Sequence, residues 1–152
     1  MELDGLQAVI DYDTAPPNAA RFKAAFLAAW THIPSPNQTD IVDLWERATE
    51  PSIELLDNPD LPIADAIANC SNDGLAMTFD ATKAKRMPQW VLLEVIVHEL
   101  AHVLQHAHGR TFSNDAEYEA HAEALERTWG IDPDAAKHWC REHFGGTEGL
   151  TP

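Results

Sequence analysis

The sequence predicts one α+β domain that is mostly helical and carries a small sheet. The chain has 152 residues, enough for a single domain with a substantial core. Its hydrophobic fraction of 45% is that of a globular protein and not of a disordered one. Long stretches with the period of an amphipathic helix are joined by a few short stretches that alternate apolar with polar residues. We therefore assign residues 1–152 to one domain and expect 145–152 to be a flexible tail.

The first half of the chain predicts short elements. Residues 19–30 are rich in alanine and carry aromatic side chains on one side, which predicts a helix. Residues 40–48 predict a second, shorter helix, and residues 52–56 predict a strand. Residues 61–70 leave helix and strand both open, whereas the alternation in residues 75–82 predicts a strand.

The most informative stretch is a helix predicted within residues 88–109, because it contains the pattern H-E-x-x-H. His98 and His102 are four residues apart and lie about 40° apart around the helix axis, so both imidazoles can bind one ion. Glu99 lies at the edge of the same face, where it can reach a water bound to that ion. The pattern is the helix signature of zinc metallopeptidases. It predicts a Zn²⁺ cofactor with His98 and His102 as ligands and Glu99 as general base.

The pattern of the other residues in 88–109 predicts that this helix is buried. Apolar residues cover most of its circumference, and the polar residues fall within about 140° of arc. A polar strip on a buried helix must face groups that satisfy it. The strip consists of Glu94, His98, Glu99, His102, Gln105 and His106.

A catalytic zinc site has three protein ligands and one water, so a third ligand is needed. His106 lies eight residues from His98, about 12 Å along the helix axis, and cannot reach the same ion. The next helix, predicted at 114–129, is the nearest source. A last helix is predicted from Pro133 to about Phe144.

The side chains around the 114–129 helix narrow the choice of third ligand. With Glu117 at zero, apolar residues lie between about 80° and 140° and alanines between about 260° and 340°, and both faces are expected to pack. Three carboxylates lie together at about 180° to 240°, as is typical of a solvated face. These are Glu119, Glu123 and Glu126. Glu117 and His121 lie between the packing faces, so geometry leaves these two open as the third ligand.

The two helices together resemble the gluzincin metallopeptidases. In that family the H-E-x-x-H helix is followed by a helix carrying E-x-x-A-D or E-x-E-A-x, and residues 117–121, Glu-Tyr-Glu-Ala-His, are similar to this second motif. The resemblance covers residues 98–124, together with the order of helix, strand and metal helix in a minimal zincin domain. It implies a zincin-like fold, bound zinc, Glu117 as the third ligand and His121 as its supporting neighbour.

His121 also marks a difference from the family, because many members have Asp or Asn at this position. The difference keeps open a site of three histidines, with His121 as third ligand, like that of SprT-type proteases. Those proteases typically carry DNA-binding segments, and this acidic chain shows none.

The implied function is that of a zinc-dependent endopeptidase in which Glu99 accepts the proton of a metal-activated water. We further predict that the segment Leu75, Ala76, Met77, Thr78 and Phe79 is the edge strand of the sheet, borders the metal cleft and binds an extended peptide substrate. Two alternatives remain. One is a zincin-fold module that keeps the metal but serves in regulation or interaction, and the other is a metal-assisted hydrolase of a non-peptide bond.

The composition of the chain limits the classes of partner that we expect. The net charge of −15 argues against binding nucleic acid or an anionic membrane surface, and leaves a protein or peptide as the expected substrate. Cys70 and Cys140 form no C-x-x-C pair, and we expect both thiols to be reduced. The first residues lack the pattern of a secretory signal, and the longest apolar stretch is interrupted by polar residues. We therefore expect a cytoplasmic protein.

Overall fold

The computed structural model of the chain describes residues 10–47, 52–57, 68–71 and 73–144. The expected tail, 145–152, lies outside these ranges. The elements in chain order are β1 (Ile10–Asp13), α1 (Pro16–Thr31), α2 (Ser35–Arg47), β2 (Ser52–Leu56), β3 (Ala68–Cys70), β4 (Ala76–Asp80), α3 (Ala81–Ala84), α4 (Gln89–Ala107), α5 (Asp115–Thr128) and α6 (Pro133–Phe144).

The predicted fold class, mostly helical α+β with a small sheet, is confirmed. The sheet has the strand order β1-β2-β4-β3. β1 pairs with β2 and β2 with β4 in parallel, whereas β3 pairs with β4 in antiparallel orientation. Alternate side chains of β2 and β4, such as Ile53 and Met77, are buried. Phe22 of α1 packs against Phe79 of β4, with ring centroids 5.0 Å apart, so this helix covers one face of the sheet.

The predicted role of Leu75–Phe79 as the edge strand is wrong. The alternation does mark a strand, β4, but this strand is paired on both sides. Its outer edge is taken by β3, which lies in the stretch that the sequence left open between helix and strand. The edge strand that packs beside α4 is therefore β3, and β4 is paired with a neighbouring strand on each of its two sides.

The helix α4 is the centre of the domain, as its apolar circumference predicted. Helices α1, α2, α5 and α6 and the strand β3 all pack against it. Most of its residues from Val91 to Gln105 are buried. It begins after Pro88, whose fixed φ suits a helix start, and it ends before Gly109, which adopts φ of 66°. None of the helices described is long and apolar enough to cross a membrane.

The start of α5 is fixed by a reciprocal cap. The Oδ1 atom of Asn114 accepts a hydrogen bond from the backbone N–H of Glu117 at 2.9 Å. The carboxylate of Glu117 accepts in return from the backbone N–H of Ser113 at 3.1 Å. This arrangement resembles a capping box and satisfies one N–H of the first helical turn and the N–H of the residue before the cap. It also shows what Glu117 does in the folded chain.

Candidate metal centre

Three side chains converge between α4 and α5. The Nε2 atoms of His98 and His102 lie 3.1 Å apart. The carboxylate of Glu119 reaches both, with Oε2 at 3.0 Å from His98 Nε2 and Oε1 at 2.9 Å from His102 Nε2. Across the described ranges, these three form the one group of histidine, cysteine and acidic side chains that could hold a metal ion.

The spacing along each helix explains the convergence. His98 and His102 are one helical turn apart on α4 and point to the same side. After the turn of residues 108–114, α5 packs against α4 and brings Glu119 across from the two imidazoles. Both histidines are fully buried, and the side chain of Glu119 is 16% exposed, so solvent meets the cluster on the side of Glu119.

A buried carboxylate sets the tautomer of His98. Its Nδ1 lies 3.0 Å from Oε2 of Glu126, which is 1% exposed. A carboxylate can only accept, so the hydrogen of a neutral His98 is on Nδ1. The lone pair is then on Nε2, which faces the cluster. Metal-binding histidines commonly have this support from a carboxylate.

The tautomer of His102 is set by the amide of Gln105. The amide nitrogen of Gln105 donates to the backbone carbonyl of Tyr118 at 3.1 Å, and a carbonyl can only accept. The amide oxygen must therefore point the other way, toward Nδ1 of His102 at 2.7 Å. His102 donates from Nδ1 and keeps the lone pair of Nε2 free. His121 completes this network, because its Nδ1 lies 2.8 Å from the same amide nitrogen.

The cluster fits a tetrahedral metal ion. Two imidazole lone pairs and a carboxylate face one another at 2.9–3.1 Å, an arrangement that repels unless a cation or a proton lies between them. Ligands of tetrahedral zinc are about 3.4 Å apart at Zn–N and Zn–O distances of about 2.0–2.1 Å. Outward shifts of a few tenths of an ångström would bring the three atoms to that spacing. The donor set, two imidazoles and one carboxylate, is one that catalytic zinc uses.

The electrostatics of the cluster keep its carboxylate ionised. Burial tends to raise the pKa of Glu119, but its hydrogen bonds to His102 and His98 outweigh burial and lower the pKa to about 2. Burial tends to lower the pKa of His98, but its bonds to Glu119 and Glu126 raise it well above the usual value. Burial lowers the pKa of His102 despite its bond to Glu119. The site therefore attracts one positive charge to the point where the three side chains meet.

Glu99 is buried beside the cluster without a partner of its own. It is 0% exposed, and neither carboxylate oxygen has a hydrogen bond to any part of the chain that the structure describes. Burial raises its pKa to about 8; His98 opposes this shift, and Glu119 and Glu126 add to it. A buried carboxylate with no partner is costly, so its position calls for a ligand, a water or a nearby cation.

The prediction of Glu117 as third ligand is wrong, and so is the interpretation of Glu119 and Glu126 as solvated. Glu117 is exposed and caps α5. Glu119 and Glu126 lie at about 200° and 180° on the helix, directly beside the apolar residues at about 80° to 140°. When this apolar face packs on α4, it carries both carboxylates to the two histidines. Glu123, which the sequence analysis also excluded as a ligand, lies outside the cluster and forms an ion pair with Lys137.

His121 is not a third ligand either. It is half-buried and bonds to Gln105, so it contacts the candidate ligand His102 only through this intermediate residue. Gln105 and Glu126 are the supporting residues that reading the sequence did not assign. Gln105 does belong to the polar strip of α4, and a polar side chain on a buried strip is the signal that could have identified it.

No family model, curated protein or solved structure matches this chain.

Proposed function

We propose that this protein is a zinc-dependent endopeptidase of the zincin type, with a gluzincin-like set of ligands. The observation that carries the proposal is the convergence of His98, His102 and Glu119 beside a buried carboxylate, Glu99, that has no partner among the described residues. Two histidines and one carboxylate from two packed helices reproduce the donor set of catalytic zinc in metallopeptidases. The H-E-x-x-H spacing places Glu99 next to that set.

Each residue has a distinct task in the proposed reaction. His98, His102 and Glu119 hold the ion, and Glu126 and Gln105 orient the two imidazoles from behind. Bound zinc would supply an acidified water and would polarise the carbonyl of the scissile peptide bond.

Glu99 acts as general base and then as general acid. Its carboxylate accepts the proton of the attacking water and passes that proton to the leaving amine. Because no partner among the described residues occupies its oxygens, both are available for this proton. The positive charge of an adjacent cation would lower the pKa of Glu99 from its raised value and would favour the ionised base.

Glu99 also favours zinc hydrolysis over oxygen chemistry. Two histidines and one carboxylate also bind non-haem iron in oxygenases. A proton acceptor beside the ligands is a requirement of hydrolysis. Metal analysis of the purified protein separates the two, and we expect about one zinc per chain.

A second candidate function is a metal-binding module in regulation or interaction. The observation that favours it is the burial of His98, Glu99 and His102, all 0% exposed, which leaves only the side of Glu119 open to solvent. In such a module the metal would stabilise the fold and would not turn over a substrate.

The variant Glu99→Gln separates the two functions. It removes the proton acceptor without removing a ligand. We expect it to keep zinc and fold while cleavage of a denatured protein mixture falls by several powers of ten. Glu142→Gln, on the exposed face of α6, makes the same chemical change elsewhere and serves as control. Zinc-loaded wild type without cleavage would support the module, and equal cleavage by both variants would exclude Glu99 from the mechanism.

A further inference from the structure

A groove of about 440 Å³ lies beside the metal centre, at the turn that joins α4 to α5. Its volume is sufficient for one amino-acid side chain. The proposed peptidase function does not assign it. The groove is lined by His106, Arg110, Thr111, Phe112, Ser113, Asn114, Asp115 and Tyr118.

One aromatic ring connects the groove to the metal centre. Tyr118 stacks on the ligand His102, with ring centroids 4.0 Å apart and an angle of 22° between the planes. Phe112 packs against Tyr118 at 5.5 Å. The hydroxyl of Tyr118 lies 3.1 Å from Nε2 of His106, which holds the ring in place. A peptide whose carbonyl lies at the metal would therefore have a neighbouring group within reach of the groove.

Arg110 gives the groove its chemistry. Its guanidinium lies 5.9 Å from the centroid of the Phe112 ring, and within the described ranges it forms no ion pair with a carboxylate. The planar guanidinium matches a carboxylate with two parallel hydrogen bonds.

Several other polar groups that line the groove can donate a hydrogen bond to an anion. The hydroxyls of Thr111 and Ser113 can donate, and so can the amide nitrogen of Asn114, because only its oxygen is taken by the helix cap. Asp115 also lines the groove, and its carboxylate would repel an anion, so a bound carboxylate must lie toward Arg110 and away from Asp115.

We propose that this groove binds a carboxylate of the peptide substrate and that Arg110 is the residue that pairs with it. The proposal rests on the proposed peptidase function. The carboxylate comes either from an acidic side chain next to the scissile bond or from the C-terminus of the peptide. Both sources present the same planar group to Arg110. Binding of an acidic side chain would make the enzyme select a residue type, whereas binding of the C-terminus would make it select the end of a chain.

Binding can be measured without turnover. The probes are N-acetyl-glutamate methylamide for the side chain, N-acetyl-alanine for the chain end and N-acetyl-glutamine methylamide as the neutral analogue. Each is titrated into isotope-labelled, zinc-loaded protein. The amide resonances of Phe112 and Ser113 report the groove, and the imidazole resonances of His98 report binding directly at the metal.

We expect one of the two carboxylates to shift the groove resonances at a concentration about tenfold lower than the neutral analogue requires. Arg110→Gln should remove this preference. Arg141→Gln, which lies exposed on α6 and makes the same change in net charge, should retain it. Equal binding of the acidic and neutral probes, or a preference unaffected by Arg110→Gln, would overturn the proposal.

A cleavage profile then connects the groove to the reaction. The bonds cut in a peptide mixture are identified by mass spectrometry for wild type, Arg110→Gln and Arg141→Gln. Enrichment of Asp and Glu beside the cut bond, or of cuts near chain ends, should disappear only in Arg110→Gln. If wild type binds the carboxylate in the groove but cuts nothing, the peptidase function fails while the groove assignment holds.

Discussion

Replacing Gln105 by leucine tests whether hydrogen bonds behind the ligands set the affinity for metal. Gln105 is 1% exposed and bonds to Nδ1 of His102, to the carbonyl of Tyr118 and to Nδ1 of His121. Leucine has nearly the same volume, so the variant removes these bonds without opening a cavity. The ligands themselves are unchanged.

The magnitude follows from the group left without a partner. The N–H of His102 is left without a partner, because His102 is 0% exposed and no solvent can replace Gln105, whereas the carbonyl of Tyr118 keeps its hydrogen bond within helix α5. A buried group left without a partner costs about 1–3 kcal/mol, so we expect the free energy of unfolding of the metal-free protein to fall by about 1–3 kcal/mol. His102 also loses the partner that holds its tautomer, and zinc affinity should fall by about 10–100-fold.

Zinc affinity is measured by competition with a chromophoric chelator, and stability by denaturant unfolding of the metal-free protein. The imidazole nitrogen shifts of His102 report which nitrogen carries the hydrogen. Gln89→Leu, an exposed position at the start of the same helix, is the matched control and should change none of these quantities by much. If Gln105→Leu binds zinc within about twofold of wild type while its unfolding free energy has dropped, the support argument is refuted.

Two further predictions concern other carboxylates. Glu119→Gln should lower zinc affinity by at least about 100-fold in a chelator competition. Glu117→Gln should leave zinc affinity unchanged and should cost only about 1 kcal/mol of stability, because it weakens the helix cap. A loss of zinc affinity in Glu117→Gln but not in Glu119→Gln would restore Glu117 as ligand. Burial and neighbouring acids raise the pKa of Glu94 from 4.5 to about 7, so the folded state holds this proton more tightly than the unfolded state. Its contribution to stability is therefore greatest below pH 4.5 and is lost as the pH rises through about 7. Glu94→Gln cannot ionise, and its Tm relative to wild type should rise between about pH 5 and about pH 8; a difference in Tm that does not change with pH would contradict the assignment.

The local features of the site follow from the sequence alone. The four-residue spacing of His98 and His102 places both on one side of any helix, whatever surrounds it. The apolar circumference of residues 88–109 requires a buried central helix, and α4 is that helix. The cap at Asn114 and the positions of the last two helices follow from equally local patterns.

Two features were decided by packing between distant elements. A short strand pairs wherever main-chain groups are free, and β3, with only three residues, has too weak a pattern to predict that it covers the edge of β4. The third ligand depends on how α5 is rotated against α4. Carboxylates flank its apolar face, and helical period alone does not tell which of them turn inward.

The physical reason that Glu119 and Glu126 lie inside the fold is the partner that each carboxylate gains there. An acidic cluster on a single helix is expected in solvent, because burying unpaired charge is costly. Two buried imidazoles change that balance for Glu119 and Glu126, which gain hydrogen bonds and opposite charge when the helices pack. The sequence of α5 alone gives no information about those imidazoles, because they belong to α4. Helical period therefore determined that His98 and His102 lie together, and the tertiary contact of two helices determined that Glu119 joins them in the candidate metal site.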